Sequence, residues 1–270
     1  MTLTSSAQPA GRPPRPGPRP ADAIALRGVS VTYSTPGHES RTVLSGIDLT
    51  VPAGEFTALV GRSGCGKTTL LNMVAGLIDP SAGSVSVLGT EPRKAREHLG
   101  FMLARDALLP WRNARRNVEY GLELRGIGRA RRHEIATHWL EAVQLTRAEH
   151  QWPWQLSQGM RQRVALARTW ALDPAVLLMD EPFAALDVNT RRVIQRKFLE
   201  LWQSEEHRTV LFVTHDLGEA IALADRVVLL GHGQVLDDVR VDIDRPRDLS
   251  VIENDSRFRE LHERLRVRLE

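Results

Sequence analysis

Apolar positions recur along the chain with two different periods, and each period predicts one kind of element. Alternating or continuous apolar runs predict strands at 23–33, 46–51, 56–60, 84–89, 176–180, 209–214 and 226–230. Apolar positions spaced three and four apart predict helices at 68–77, 117–125, 130–145, 158–171, 187–204, 217–224 and 256–269. Repeated alternation of strand and helix predicts an α/β fold with a parallel sheet.

Two of these helices have an apolar face that can be assigned residue by residue. The face of the helix at 187–204 consists of Ile194, Phe198, Leu201 and Trp202. The helix at 256–269 is highly charged, and its apolar stripe consists of Phe258, Leu261 and Leu265.

Composition divides the chain into three parts. Residues 1–22 contain six prolines and three arginines and predict a disordered, partly polyproline II tail. Residues 23–240 contain the strand–helix series and predict one domain. Within it, residues from about 104 to 160 are rich in Arg, Glu and Trp and predict an inserted helical subdomain. Residues 241–270 predict a C-terminal helical extension.

Charge and cysteine content narrow the class of protein. The formal net charge is only +3, which gives little support for nucleic-acid binding. A single cysteine excludes an internal disulfide and fits a reducing compartment. No apolar run approaches the roughly 18 residues of a membrane-spanning helix. Any membrane role is therefore expected to be peripheral.

A glycine-rich loop follows the apolar run at 56–60. GRSGCGKT, residues 61–68, fits the phosphate-loop pattern and lies between a predicted strand and a predicted helix, as that motif requires. Its glycines let backbone N–H groups approach phosphate oxygens, and the helix N-terminus adds positive potential. Lys67 is expected to reach the β- and γ-phosphates, and the Thr68 hydroxyl to ligate Mg²⁺.

Asp180 ends the buried-strand run VLLMD at 176–180, and a second acid, Glu181, follows it directly. Like charges side by side cost free energy unless a positive species offsets them. A bound magnesium nucleotide supplies that species. Asp180 is then expected to hold Mg²⁺, and Glu181 to polarise the attacking water.

LSQGMRQRVALAR, residues 156–168, resembles the signature motif of the ATP-binding-cassette (ABC) ATPases. Ser157 and Gly159 match that motif, whereas Gln158 replaces its first glycine and Met160 stands at its final position. Other elements of the family follow in order. Tyr33 resembles the aromatic residue that stacks on adenine, AALD at 184–187 resembles the D-loop, and His215 in VTHD resembles the switch histidine.

The resemblance implies a P-loop NTPase core of the ABC-ATPase type, with an antiparallel β subdomain and an inserted helical subdomain. It implies ATP and Mg²⁺ as cofactors. The implied catalytic residues are Glu181, His215 and Lys67, and the implied metal ligands are Thr68 and Asp180. The implied nucleotide-binding residues are Tyr33, Gly61, Arg62, Ser63, Gly64, Cys65, Gly66, Lys67, Thr68, Thr69, Ser157 and Gly159.

Partners follow from the same resemblance. In this family Ser157 and Gly159 would complete the nucleotide site of a second copy, so that two chains bind two ATP molecules head to tail. The other implied partners are two transmembrane permease subunits and an extracytoplasmic solute-binding protein, without nucleic acid, at the cytoplasmic face of the membrane. LLPWR at 108–112 and the QLSQGM form are most similar to importers of nitrate, sulfonates and taurine.

Several alternatives remain open from the sequence. A soluble ABC ATPase of DNA repair or ribosomes is disfavoured, because the chain has neither a long coiled-coil insertion nor a second cassette. A hydrolysis-defective ATP-binding module is raised by Ala104, which stands where relatives have a glutamine that meets Mg²⁺ and water. Intact Glu181 and His215 argue against that module.

Three aromatic residues also have alternative roles. Tyr33 could pack a strand edge instead of stacking on adenine, and Trp152 and Trp154 could pack internally or contact a neighbour.

Overall fold

The computed structural model describes residues 21–34, 40–103, 106–204, 208–247 and 251–269. The predicted tail, apart from its last two residues, and Ala104 lie outside this part of the chain. The strands are β1 (Asp22–Tyr33), β2 (Arg41–Pro52), β3 (Phe56–Val60), β4 (Ala82–Val87), β5 (Leu99–Met102), β6 (Val176–Asp180), β7 (Thr209–Thr214), β8 (Arg226–Gly231) and β9 (Gln234–Arg240). The helices are α1 (Lys67–Val74), α2 (Ala114–Leu124), α3 (Arg129–Ala142), α4 (Gln158–Ala171), α5 (Val188–Ser204), α6 (Leu217–Leu223) and α7 (Ser256–Leu269).

The strands form two sheets. β2, β1 and β4 form an antiparallel sheet in that order, and the other six form a mixed sheet in the order β5-β6-β7-β3-β8-β9. Within the mixed sheet only β8 and β9 pair antiparallel, whereas the remaining pairs are parallel. The parallel order brings the carboxyl ends of β3, β6 and β7 to one edge. Lys67, Asp180 and His215 follow or end those strands, so the topology brings them together.

Two cores lie on opposite faces of the mixed sheet. Alternate residues of β6 belong to different cores: Leu177 and Met179 pack with α2 to α7, whereas Val176 and Leu178 pack with α1 and the antiparallel sheet. β3 and β7 divide their side chains in the same way. These strands therefore have near-continuous apolar sequences because helices or a second sheet cover both faces.

The predicted architecture is confirmed, and two strands were missed. β5 (LGFM) is too short to show a period, and β9 carries two acids among its apolar residues. A two-residue hairpin turn joins β8 to β9, in which His232 and Gly233 both have positive φ, and Gly233 was the sequence signal for this turn. β2 begins five residues before the predicted strand, and α1 ends at Val74 rather than 77.

The segment between β5 and β6 contains α2, α3 and α4, which pack against one another. The Arg125 guanidinium donates to the carbonyls of Leu172 (2.6 Å) and Glu97, so it joins this segment to the residues before β5. The bounds of the helical subdomain, at about 104–160, remain a prediction.

Within the described ranges, none of the helices is both long and apolar enough to span a bilayer.

The C-terminal part packs on the mixed sheet and α6. Phe258 and Leu265 of α7 are buried in the same core as β8, as the predicted stripe requires. Arg247 is also buried and donates to the carbonyls of Ile221 (2.8 Å) and Ala224 (2.5 Å) at the end of α6. Burial lowers the pKa of Arg247 to about 10. The guanidinium thus satisfies helix C-terminal carbonyls that would otherwise lack donors.

Replacing Arg247 with Met is expected to lower the free energy of unfolding by about 2–4 kcal/mol, because it leaves buried carbonyls without a donor. Chemical denaturation followed by circular dichroism measures this change. Arg259→Met is the matched control. Arg259 is exposed, and its guanidinium donates to the Asn254 carbonyl over 3.0 Å. Equal stability losses in the two variants would contradict the capping role of Arg247.

Candidate functional site

The loop at 61–66 folds around the Lys67 ammonium. Lys67 is the first residue of α1, and its Nζ donates to the carbonyls of Gly61 (2.7 Å) and Arg62 (3.1 Å). The side chain is only 6% exposed, so the charge lies under the loop rather than in solvent. The Cys65 N–H donates to the Arg62 carbonyl over 3.2 Å and closes the turn. This arrangement places a cation and the N-terminus of α1 against one small volume.

Two glycines of the loop are required by its close packing. A Cβ on Gly61 would lie 2.2 Å from the Leu230 carbonyl oxygen and 2.6 Å from Cys65 Sγ. A Cβ on Gly66 would lie 2.5 Å from the Leu44 side chain, and Gly66 has φ +107°. Gly61 therefore seats the loop on β8, and Gly66 lets the chain turn into α1.

Thr68 and Asp180 meet across the end of the mixed sheet. Thr68 Oγ1 donates to Asp180 Oδ2 over 3.0 Å, although 112 residues separate them. Burial raises the pKa of Asp180, the Thr68 hydrogen bond opposes that change, and the Glu181 charge adds to it. A cation beside a buried carboxylate stabilises its charged form.

Glu181 and His215 form a second pair at the same edge. His215 Nδ1 lies 3.1 Å from Glu181 Oε2, and the His215 ring is exposed. The Glu181 backbone has φ +44°, a left-handed conformation that is costly for a residue with a Cβ. Its N–H donates to the Val213 carbonyl over 2.9 Å, which holds β6 to β7 at this point. The strained backbone fixes the direction in which the carboxylate leaves the strand.

A cavity of ≈ 610 Å³ opens over these groups. Its lining residues are Tyr33, Arg41, Val43, Ser63, Gly64, Gly66, Lys67, Thr68, Thr69 and Glu181. Tyr33 is 48% exposed at the end of β1, so its ring is open to the cavity instead of packing a strand edge. Sequence reasoning missed Arg41 and Val43, because only the β1–β2 register places Arg41 opposite Tyr33.

Ser157 and Gly159 lie elsewhere, at the exposed start of α4. Ser157 is the N-cap of α4, and its Oγ accepts from Met160 N over 3.3 Å. The residues that line the cavity include neither Ser157 nor Gly159. Trp152 and Trp154 stack on each other just before this helix, with ring centroids 5.1 Å apart, and Trp154 stays 68% exposed.

A buried link connects α4 to the segment after Glu181. Gln162 Nε2 donates to the Pro182 carbonyl over 2.6 Å, and the Gln162 side chain is 3% exposed. The helix that starts at Ser157 is therefore tied to the residues that follow the second acid. Sequence reasoning did not single out Gln162.

The residues present fit a magnesium nucleotide. The loop offers N–H groups, a helix N-terminus and the Lys67 ammonium to phosphates, and the Tyr33 ring offers a surface to a base. Thr68 and Asp180 supply two oxygen ligands, which suits Mg²⁺ because that ion also binds waters and substrate phosphates. When bound, the ion would neutralise phosphate charge.

Comparisons with known proteins identify the family of this chain. The family model described as ABC transporter matches residues 44–184. An uncharacterized ABC transporter ATP-binding protein of Methanocaldococcus jannaschii is 47% identical over 78% of this chain and 79% of its own length. An aliphatic sulfonates import ATP-binding protein of Pseudomonas aeruginosa is 46% identical over 83% of this chain and 77% of its own. A taurine import ATP-binding protein of Shigella flexneri is 42% identical over 80% of this chain and 86% of its own length.

Two solved structures with the same fold are dimers. One is a dimeric ATP-binding cassette in a post-hydrolysis state with ADP and Pi, with a TM-score of 0.75 and 31% identity. The match covers 82% of this chain and 100% of that one. A dimeric bacterial ABC transporter cassette gives a TM-score of 0.76. The fold, the motifs in their predicted order and these matches together establish that the chain belongs to the ABC transporter family, as one of its ATP-binding, ATP-hydrolysing subunits.

Proposed function

We propose that the chain hydrolyses Mg·ATP to drive import of a small anion of the sulfonate, taurine or nitrate type. The observation that carries the proposal is the convergence of Lys67, the Thr68–Asp180 pair and the Glu181–His215 pair at one sheet edge. The sulfonate and taurine names of relatives more than 40% identical support the choice of solute class.

Each group at the sheet edge then has a role in phosphoryl transfer. Lys67 binds the β- and γ-phosphates, while Thr68 and Asp180 hold Mg²⁺. Glu181 orients the attacking water and takes up its proton, and His215 donates to the γ-phosphate. Tyr33 stacks on the adenine, which is worth roughly 1–3 kcal/mol. Catalysis in this arrangement rests on placement and electrostatics rather than on a covalent intermediate.

A second copy completes the site in the proposal. Ser157 and Gly159 present the exposed N-terminus of α4, which suits an anion, to the γ-phosphate held by the partner. The dimeric solved structures support this arrangement. Two such contacts related by a two-fold axis form an isologous dimer that opens when the γ-phosphate is lost.

The remaining partners are two transmembrane permease subunits and an extracytoplasmic solute-binding protein, with the chain bound peripherally at the cytoplasmic face. The import names of the relatives support these partners. Ala104 stands where relatives have a glutamine that meets Mg²⁺ and water. We propose that a water molecule would take the place of that glutamine beside a bound Mg²⁺, and that the backbone of residues 105–111 would couple hydrolysis to the permease subunits.

The transport role is tested in a host that lacks this chain but retains the permease and binding protein encoded with it. Growth on taurine or an aliphatic sulfonate as sole sulfur source is expected to return with the wild-type chain and not with Glu181→Gln. Growth on inorganic sulfate is the control and should be unaffected. Rescue confined to nitrate as sole nitrogen source would reassign the solute, and equal growth with and without the chain on every tested solute would contradict the importer role.

A further inference from the structure

Glu219 lies four residues after His215, and both of its carboxylate oxygens accept a hydrogen bond from within the protein. Thr214 Oγ1 donates to Glu219 Oε2 over 2.5 Å, and Gln195 Nε2 donates to Glu219 Oε1 over 2.7 Å. Thr214 is the last residue of β7, directly before His215, whereas Gln195 belongs to α5. The Glu219 side chain therefore joins the turn that carries His215 to a different helix.

The same bonds order the backbone around His215. The Asp216 N–H donates to Thr214 Oγ1 over 3.1 Å, and the Glu219 N–H donates to Asp216 Oδ1 over 3.0 Å. The residues on both sides of His215 are thus held by one connected set of hydrogen bonds. The imidazole itself lies outside this set, next to Glu181.

The ordinary role of an acid at this position is a helix cap. In a capping box the acid three residues after the N-cap accepts from the N-cap N–H. Here the N-cap is Asp216, and its N–H donates to the Thr214 hydroxyl. The Glu219 carboxylate turns towards α5, and burial raises its pKa while the Thr214 bond opposes that rise. A simple cap would remain in water and avoid this desolvation cost.

The helix at the other end of the link is also connected to the catalytic edge. α5 begins at Val188, directly after the 184–187 loop that follows Glu181. Gln195 is 7% exposed, two turns into α5, so its amide is held in place by packing. α5 is therefore attached to the Glu181 segment at its start and to the His215 turn through Glu219.

We propose that Glu219 is a positioning residue for ATP hydrolysis, which fixes the His215 turn against α5. The inference deepens the proposed function and rests on it, because His215 must act on ATP for the position of its turn to matter. Glu219 is not among the residues that line the cavity. It therefore acts on turnover through His215 and leaves ATP binding to the loop and Tyr33.

Steady-state ATPase assays of the purified full chain test this role. Glu219→Ala is expected to lower kcat about tenfold, because small displacements of a reacting group are costly. KM for ATP should change by less than about twofold. Glu219→Gln should retain most activity, since its amide still offers an acceptor to Gln195 and a donor to Thr214. Glu260→Ala, at an exposed site on α7, is the matched control and should behave as wild type.

A double-mutant cycle separates positioning from a general loss of structure. In the His215→Ala background, Glu219→Ala is expected to lower kcat by less than about twofold, because the residue it positions is gone. The same tenfold loss in both backgrounds would overturn the inference. Gln195→Ala removes the α5 bond alone, and an intermediate loss of kcat is expected; this variant replaces Glu219→Ala in the cycle if the latter does not fold.

The outcomes also distinguish the inference from the proposed function. If His215→Ala lowers kcat but neither Glu219→Ala nor Gln195→Ala does, only the positioning role fails. If His215→Ala has wild-type kcat, the proposed role of His215 fails, and the role of Glu219 fails with it. A wild-type chain without ATPase activity would contradict the proposed function itself.

Discussion

Replacing Glu181 with Gln is expected to lower the ATPase rate by about 10²–10³-fold, because it removes the group that accepts the proton of the attacking water. Gln has the same length as Glu and can adopt the same φ of +44°, so the turn after β6 should persist. The Thr68–Asp180 pair is untouched, so ATP and Mg²⁺ should still bind. The phosphate-release assay with saturating Mg·ATP measures the loss.

The same variant should accumulate as a dimer in ATP. Hydrolysis would normally remove the γ-phosphate between the Ser157 turn of one copy and the loop of the other. Size-exclusion chromatography with light scattering should show a dimer with Mg·ATP and a monomer with Mg·ADP. Glu91→Gln is the control, because Glu91 is an exposed acid paired with Lys94, and it should keep wild-type turnover. A Glu181→Gln chain that stays monomeric at saturating ATP would contradict the two-chain site.

Much of this site could be predicted from sequence because its parts are local. The loop at 61–68 lies within one strand–turn–helix, and Asp180 and Glu181 end one apolar run. The order of strands brings such segments to one edge whatever the details of packing. The contact between Thr68 and Asp180 was therefore predictable, although no local pattern contains both residues.

The parts that sequence did not reveal depend on long-range register. Arg41 reaches the cavity only because β2 pairs with β1 so that it faces Tyr33. Gln195 and Glu219 look like polar positions of two amphipathic helices, and their contact exists only once α5 and α6 are packed side by side. Helix periodicity reports which face is apolar, and it carries no information about which polar side chain meets another helix.

Short or polar strands were missed for a related reason. β5 has only four residues, and its position is set by its pairing with β6, in which Leu99 lies opposite Val176. β9 is held by β8 and presents Asp237 and Asp238 among apolar residues. Both strands are edges of the mixed sheet, where pairing on one side is enough and the sequence need not be apolar throughout.

Replacing Lys67 with Met is expected to weaken ATP binding at least about a hundredfold, or about 2.7 kcal/mol. Met keeps much of the apolar stem beneath the loop and removes the charge that would meet the phosphates. In this structure the ammonium donates to the Gly61 and Arg62 carbonyls. The Arg62 carbonyl keeps the Cys65 N–H as a donor, and removing the buried charge also removes its desolvation cost, so the loss of stability without ATP should be smaller than for Arg247→Met.

ATP-dependent thermal stabilisation measures the effect of Lys67→Met directly. A ligand that binds only the folded chain stabilises it in proportion to the logarithm of its concentration over Kd. Wild type and Lys94→Met, whose lysine is an exposed partner of Glu91, should show equal shifts with Mg·ATP. Lys67→Met should show a much smaller shift at the same concentration. If its shift equals that of wild type, the triphosphate does not lie against Lys67, and the assignment of the loop as the phosphate site is wrong.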